Sequence, residues 1–269
     1  MPSPDRIPQV PVLPAGDAAQ AAQVLWQAAL SRSEDPGRAR VGQTGHGWAP
    51  ALLGGVRRRG RNLIRVPSGV SVQMDEGARD NLVVVGPIEV ARLLITVQGS
   101  GNVVWIGGGR KFAGRITVAG RDNLFHAGVG ATCNTGHFVM RSQRRSILIG
   151  EGSMLSFDIK VRCSDMHGIF DVETGEQLNP AESVCIGPHV WLGEEVIVLK
   201  GAEIGAGAIV GARALVSASV PPRSLSVGVP AKVLREGVSW TRQPEVGAQE
   251  REAVLQTLRG QESAAGDLA

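Results

Sequence analysis

One short segment, SDMHGIFD, brings together two side chains that can move a proton near neutral pH. His167 follows Asp165 by two residues, and residues i and i+2 of an extended chain point to the same side. The Asp165 carboxylate could therefore orient the imidazole of His167, and imidazole is a side chain suited to general base catalysis near neutral pH. The simpler alternatives are an exposed loop histidine and an aspartate that caps a turn.

Metal binding is a second chemistry open to histidine. His126, His137 and His167 supply the three imidazoles that a catalytic zinc ion would need. They lie 11 and 30 residues apart, and neither interval is a multiple of the 18-residue period described below. The three cysteines fit no zinc-binding spacing, and their odd number favours reduced thiols. We therefore expect no bound metal.

Composition excludes several classes of protein. The 269 residues include 28 Lys and Arg against 25 Asp and Glu, and this small excess does not predict nucleic-acid binding. Glycine accounts for 36 residues without a G-X-Y period and 43% of residues are hydrophobic, which excludes collagen and disorder. The N-terminal segment is Pro-rich and no run of about 18 apolar residues occurs, so we expect a cytoplasmic protein without a transmembrane segment.

Two clusters of arginine stand out from this nearly neutral background. Five arginines fall between Arg57 and Arg65, and a second cluster comprises Arg141, Arg144 and Arg145. Either cluster could bind an acidic glycan or a lipid diphosphate. Solvated surface is the simpler interpretation.

A six-residue repeat dominates the second half of the chain. Residues 186–221 divide without a gap into IGPHVW, LGEEVI, VLKGAE, IGAGAI, VGARAL and VSASVP, with Ile, Leu or Val always first and a small or β-branched residue always fifth. Neither an α-helix nor an ordinary strand has a period of six, whereas a short flat segment followed by a corner does. Three segments close a triangle, so each 18 residues form one coil that stacks on the next as parallel strands.

The same frame extends towards the N-terminus. Residues 149–166 form one more coil, and the segment 167–185 breaks the frame and must leave the stack as an excursion loop. Further upstream, Asn81, Asn102 and Asn123 recur at intervals of 21, which is one coil plus three residues. We therefore predict an imperfect N-terminal half of the same β-helix.

The flanking segments complete the predicted domain organisation. Residues 1–65 form an N-terminal extension in which Asp17 caps a short helix, residues 66–237 form the β-helix domain, and residues 238–269 form a C-terminal helix and tail. We expect the C-terminal helix to end at Gly260 and the residues beyond it to be disordered.

The hexads, the excursion beginning SDMHGIFD and the following segment PPRSLSVGVPAKVLRE together resemble the hexapeptide-repeat acyltransferases, in particular the maltose, galactoside and polysaccharide O-acetyltransferase branch. The resemblance covers residues 147–237 in sequence and residues 66–146 in architecture only. It implies an all-β fold, a left-handed parallel β-helix with short flanking helices, although the general crossover rule would favour the opposite hand. It also implies a homotrimer with acetyl-CoA bound between neighbouring prisms, and transfer of acetyl to a hydroxyl of a sugar or polysaccharide precursor.

The resemblance also implies roles for single residues. His167 stands where this family keeps its catalytic histidine, and Trp191 matches a tryptophan near the cofactor, although it could simply pack at the trimer seam. Lys232 and Arg235 lie in the matching PAKVLR segment and would face the phosphates of CoA. His189, at an outward place of its hexad, is either an acceptor-binding residue or a surface histidine.

Three glycines are weaker candidates for cofactor binding. Gly205, Gly207 and Gly211 leave backbone N–H groups open to close approach, so they could hold the pantetheine amides or an oxyanion. Tight corners favour glycine for purely structural reasons. Two other functions stay open: a zinc carbonic anhydrase built on the same prism, and a scaffold without catalytic activity.

Overall fold

A computed structural model describes residues 56–266, which fold as a parallel β-helix of about seven turns. The helix predicted after Asp17 lies outside the described residues. Within the described range the strands follow in the order β1 (Arg57–Arg59), β2 (Asn62–Arg65), β3 (Val70–Met74), β4 (Leu82–Val85), β5 (Ile88–Ser100), β6 (Val103–Ile106), β7 (Gly109–Arg121), β8 (Leu124–Ala127), β9 (Thr132–Gln143), β10 (Ser146–Ile149), β11 (Met154–Leu155), β12 (Ile159–Arg162), β13 (Val184–Ile186), β14 (Trp191–Leu192), β15 (Ile197–Val198), β16 (Glu203–Ile204), β17 (Ile209–Val210), β18 (Leu215–Val216), β19 (Ser224–Val227) and β20 (Lys232–Glu236).

Three faces run along the stack. The first face is an eight-stranded sheet in the order β1-β2-β4-β6-β8-β10-β13-β16, parallel except for the antiparallel pair β1–β2. In the later coils the second face is formed by β11, β14, β17 and β19, and the third by β12, β15 and β18. This arrangement confirms the predicted all-β, parallel β-helix fold.

The earlier coils are wider. The long strands β5, β7 and β9 each span the second and third faces, and β9 pairs through Thr132 and Cys133 with β11 and through residues 136–139 with β12. The bend between the two faces needs glycine: Gly114 has φ of 127°, and an added Cβ would lie 2.0 Å from the carbonyl oxygen of Gly136. The 21-residue period predicted from the asparagines therefore reflects two merged faces.

The core follows the hexad frame. The first and fifth places of every hexad in residues 186–221 are at most 5% exposed, including the small residues Ala202, Ala208 and Ala214. The wider early coils enclose more volume and are filled by the rings of Phe112, Phe125 and Phe138 instead, with Phe125 and Phe138 at a centroid distance of 5.2 Å. Core side-chain size thus changes together with coil length.

The regularly spaced asparagines form a buried ladder at one corner. The Oδ1 atoms of Asn62, Asn81 and Asn102 each accept two hydrogen bonds, from the backbone N–H and the Nδ2 of the next asparagine, at 2.9–3.1 Å. The ladder ends at Asn123, whose Oδ1 accepts from Ser142 Oγ at 2.9 Å. These amides satisfy backbone groups that a tight corner would otherwise bury without partners.

The segment boundaries differ from the sequence predictions in three places. The stack begins with Asn62 in β2, four residues before the predicted start at 66. The excursion leaves after Arg162 and rejoins at Val184, rather than occupying 167–185. The C-terminal helix α1 (Ala248–Gly266) does not end at Gly260, because glycine lowers helix stability without forbidding helical geometry. No helix among the described residues is long and apolar enough to cross a membrane.

Candidate active site

Asn179 closes the base of the excursion. This buried side chain uses both ends of its amide: Nδ2 donates to Oδ2 of Asp165 at 2.8 Å and to the backbone carbonyl of His167 at 2.9 Å, and Oδ1 accepts the N–H of Ile169 at 2.6 Å. One asparagine therefore joins the residues that leave the stack to those that return.

Lys200 links the base of the excursion to the next coil. The hydrogen bonds of Asn179 and the contacts of Lys200 are together called the clasp. Its Nζ donates to the backbone carbonyl of Pro180 at 3.0 Å and lies 3.5 Å from carboxylate oxygens of both Asp165 and Glu182. The Lys200 side chain is only 17% exposed, so these interactions are less screened than surface ion pairs. The excursion is thereby held against the corner that follows β15.

The spacing of two residues predicts that Asp165 orients the imidazole of His167, but the carboxylate has other partners. Its carboxylate faces Asn179 and Lys200, and its link to His167 runs through Asn179 to the backbone carbonyl. Met166, between them, has φ of 65° in the left-handed region, a strained turn that the clasp holds in place. The result is an exposed His167 on a fixed backbone.

His167 and Trp191 lie on different sides of the prism. The excursion separates β12 of the third face from β13 of the first, so His167 lies at the corner between those faces. Trp191 begins β14 on the second face, opposite that corner, and is 37% exposed. A single chain therefore does not bring the two residues together.

On the second face, a column of outward side chains on adjacent strands runs from Trp191 to Arg235, one of the two cations predicted to bind the CoA phosphates. Trp191 pairs with Ile209, Ile209 with Leu225, and Leu225 with Arg235 of the antiparallel strand β20. Three strand spacings correspond to about 14 Å. Lys232 begins the same strand, and both cations are exposed.

His189 is occupied by a contact that sequence reasoning missed. Its ring stacks on Trp240 at a centroid distance of 4.4 Å, its Nε2 lies 2.9 Å from the Trp240 backbone oxygen, and Trp240 Nε1 donates to the His189 carbonyl at 2.8 Å. Burial is the main cause that lowers the pKa of His189. This geometry gives no support to the expected acceptor-binding role.

Arg242 extends the same C-terminal segment along the corner between the first and second faces. Its guanidinium donates to the carbonyls of Gly130 at 3.2 Å and Gly152 at 2.9 Å, and to Oγ1 of Thr132 at 3.1 Å. Its guanidinium carbon also lies 5.7 Å from the Trp240 ring centroid. Through Trp240 and Arg242, the segment after β20 therefore packs across three successive coils and stabilises their stacking.

The backbone N–H groups of the three candidate glycines are all used by hydrogen bonds between coils. The N–H of Gly205 donates to Val220, that of Gly207 to Pro188 and that of Gly211 to Ser226, at 2.8–3.0 Å. A Cβ on Gly205 would lie 2.3 Å from the nitrogen of Pro222. These N–H groups are therefore not open to a ligand, which corrects the expectation that they hold pantetheine.

The histidines proposed for zinc lie apart. His126 is buried on β8 of the first face, where burial lowers its pKa to about 4, whereas His137 is exposed on β9 of the third face. No three His, Cys, Asp or Glu side chains of residues 56–266 gather into a metal site. The Cys133 thiol is also unreactive, because burial raises its pKa to about 12. The zinc alternative is not favoured.

The fold and the site together define a hexapeptide-type β-helix with a clasped, histidine-bearing excursion. No protein-family model matches the chain. It is similar to the polysialic acid O-acetyltransferase of Escherichia coli O1:K1 / APEC, with 30% identity over 105 residues, 39% of this chain and 34% of that protein. It is also similar to the polysialic acid O-acetyltransferase of Neisseria meningitidis, with 31% identity over 129 residues, 40% of this chain and 60% of that protein.

A solved structure supports the fold. The crystal structure of the polySia specific acetyltransferase NeuO has a TM-score of 0.58 to this chain at 23% identity, over 74% of this chain and 82% of that one. The matched part of the chain spans between about a third and three fifths of the curated relatives. These similarities confirm the predicted resemblance to hexapeptide-repeat O-acetyltransferases.

Proposed function

We propose that the protein is an acetyl-CoA-dependent O-acetyltransferase acting on a hydroxyl of a sugar or polysaccharide, with His167 as general base. The observation that carries the proposal is the clasp: Asn179 and Lys200 fix the backbone of an exposed histidine at a corner of a hexapeptide β-helix. The relatives named above act on polysialic acid, which supports a saccharide acceptor.

In this mechanism the imidazole of His167 takes the proton of the acceptor hydroxyl. The hydroxyl oxygen then attacks the acetyl carbonyl, and the imidazolium returns the proton to the departing CoA sulfur. The clasp keeps the imidazole in range of both partners without an induced change of the loop. Asp165 positions it indirectly through Asn179.

The donor fits the second face. The column from Trp191 to Arg235 is flat, carries Ile209 and Leu225 between its ends and finishes at two exposed cations. A slender apolar arm with phosphates at one end matches this order of side chains, with the thioester beside Trp191 and the phosphates beside Arg235 and Lys232.

A complete site then requires two copies of the chain. Because His167 and Trp191 lie on opposite sides of one prism, the base of one subunit serves a donor bound on the partner subunit's Trp191. We propose a cyclic homotrimer, which supplies three such sites from a single repeated contact.

Activity is tested by CoA thiol release from acetyl-CoA with a panel of neutral saccharides and polysialic acid. We expect His167→Ala to lose on the order of 10²-fold or more in turnover while CoA still raises the melting temperature. Val172→Ala is the matched control, because Val172 lies on the same excursion and is 87% exposed. Full activity of His167→Ala would refute the base, and failure of CoA to raise the melting temperature, with no thiol release, would favour the scaffold.

The shared site is tested by co-expressing His167→Ala with Trp191→Ala. In a random cyclic trimer about a quarter of the sites combine an intact His167 with an intact Trp191, so activity should recover to about that fraction. If each site lay within one chain, the activity of the mixture would equal the average activity of the two variants. Light scattering checks that both variants still assemble.

A further inference from the structure

The third face of the stack carries cations without carboxylates. Strands β7, β9 and β12 contain no Asp or Glu, and their alternate residues Ile116, Phe138 and Val161 lie in the core. The side chains beside them therefore point outward. The outward set includes the cations Arg115, Arg121, Arg141, Lys160 and Arg162 together with His137.

Four of these residues form a compact group, here called the cationic patch: Arg115, His137, Lys160 and Arg162. Arg115 pairs with His137 and His137 with Lys160 in parallel register, so the three stand in one column with steps of about 4.8 Å. Arg162 occupies the next outward place on β12, about 7 Å along the strand from Lys160.

No described carboxylate neutralises the patch. Neither Arg115, Lys160 nor Arg162 forms an ion pair within residues 56–266. Although the His137 side chain is exposed overall, partial desolvation of its ring lowers its pKa first, and the charges of Arg115, Arg162 and Lys160 lower it further. The positive charges therefore act on one another, which is the arrangement expected of a surface that receives an anion.

The patch adjoins the candidate active site. Arg162 is the last residue of β12 and lies five residues before His167. The strand order is fixed there, because Ser164 Oγ donates to the carbonyl of Arg141 on the neighbouring strand at 3.0 Å. An anion bound along the patch thus extends from the excursion towards the N-terminal coils.

We propose that the cationic patch is the binding surface for an acidic saccharide acceptor. This inference rests on the proposed function and specifies its acceptor as a saccharide bearing carboxylates. Single-stranded nucleic acid is disfavoured, because the outward positions of these three strands on the third face carry no Phe, Tyr or Trp on which bases could stack. A neutral saccharide would leave the patch without counter-charges.

The test measures binding directly, without acetyl-CoA and without turnover. Fluorescence anisotropy compares labelled oligomers of polysialic acid, neutral dextran and an oligonucleotide of the same charge. The triple variant Arg115→Gln, Lys160→Gln and Arg162→Gln removes three patch charges. The control triple Arg213→Gln, Arg251→Gln and Arg259→Gln removes the same charge from the exposed surface elsewhere.

We expect polysialic acid to bind in low salt and the patch triple variant to weaken it on the order of tenfold, since each exposed charge contributes modestly. The control triple should stay within about twofold, and affinity should fall as salt shortens the screening length from about 10 Å at 0.1 M to about 3 Å at 1 M. Unchanged binding by the patch variant, equal binding of dextran, or equal binding of the oligonucleotide overturns the proposal.

These outcomes separate this inference from the proposed function. Patch-dependent binding of polysialic acid without any acetyl transfer would support the proposed binding surface and refute the proposed transferase activity. Acetyl transfer that proceeds unchanged in the patch variant, on neutral and acidic saccharides alike, would support the transferase activity and refute the proposed binding surface.

Discussion

Replacing Asn179 with alanine should disable the site while leaving the stack intact. The change removes the three shortest hydrogen bonds of this side chain: one to the Asp165 carboxylate at 2.8 Å, one to the His167 carbonyl at 2.9 Å and one from the Ile169 N–H at 2.6 Å. A bond to a charged group contributes about 1.5–3 kcal/mol and a neutral one about 0.5–1.5 kcal/mol, so the base of the excursion loses about 2.5–6 kcal/mol. Because the excursion lies outside the stack, we expect local opening rather than global unfolding.

The functional consequence is a loss in kcat. A displacement of about 1 Å in a reacting group can cost on the order of 10²-fold, and His167 would no longer be held by its carbonyl. The KM for acetyl-CoA should stay within about twofold, because Trp191 and Arg235 lie on another face. Steady-state kinetics measures both, and hydrogen exchange should show faster exchange at the Ile169 and Leu178 amides.

A paired substitution distinguishes positioning from simple loss of stability. Asn179→Asp places a second carboxylate against Asp165, whereas the double variant Asp165→Asn with Asn179→Asp restores one amide and one carboxylate. We expect the double variant to recover part of the kcat lost in Asn179→Asp. Gln177→Ala is the control, because it removes only the longest hydrogen bond of Asn179, from Gln177 Nε2 to Asn179 Oδ1 at 3.5 Å. It should leave kcat nearly unchanged. An Asn179→Ala enzyme with kcat within about twofold of the parent would refute the role of the clasp.

Three further predictions concern the donor face, acid stability and the asparagine ladder. Trp191→Ala should weaken CoA binding at least about tenfold, measured by calorimetry; an unchanged Kd would remove Trp191 from the donor site. The pKa of His126 is lowered to about 4, so the unfolded state binds more protons between pH 6.5 and 4 and the free energy of unfolding falls by up to about 3 kcal/mol as pH drops through that window. Melting curves of His126→Leu should show a flatter pH dependence there, and an unaltered slope would contradict this origin. Asn102→Ala leaves the Asn123 N–H and the Gly120 carbonyl without their side-chain partner, and denaturant titration should show a loss of at least about 3 kcal/mol; a loss below about 1 kcal/mol would mean that the ladder is not needed.

Periodicity made much of the fold predictable. The strict hexads of residues 186–221 report which side chains face the core, because each short strand contributes one inward residue at a fixed place before a corner. The wider spacing of Asn81, Asn102 and Asn123 indicated longer coils. It could not indicate that the amides bond to one another, since that depends on the register between coils.

The contacts that build the site were harder to predict, because they join residues far apart in sequence. Trp240 reaches His189 across 51 positions and Arg242 reaches Thr132 across 110. Asn179 lies only 12 positions from His167, yet no repeat includes either of them. An invariant spacing reveals the stack, whereas a single long-range hydrogen bond leaves no pattern in one sequence.

The change in coil length between β9 and β10, one coil before the excursion, divides the molecule into two parts. On its C-terminal side, short coils with alanine-filled cores give a narrow flat face that ends at Lys232 and Arg235, which suits an extended donor. On its N-terminal side, the long strands β7 and β9 span two faces and carry Arg115 and His137. The cationic patch continues onto β12 of the first short coil, and this wide surface suits a polymeric acceptor. In the proposed mechanism donor and acceptor therefore approach from opposite ends of the stack and meet at the level of His167. His167 follows the first short coil, and in this mechanism its clasped backbone lets one imidazole serve both substrates.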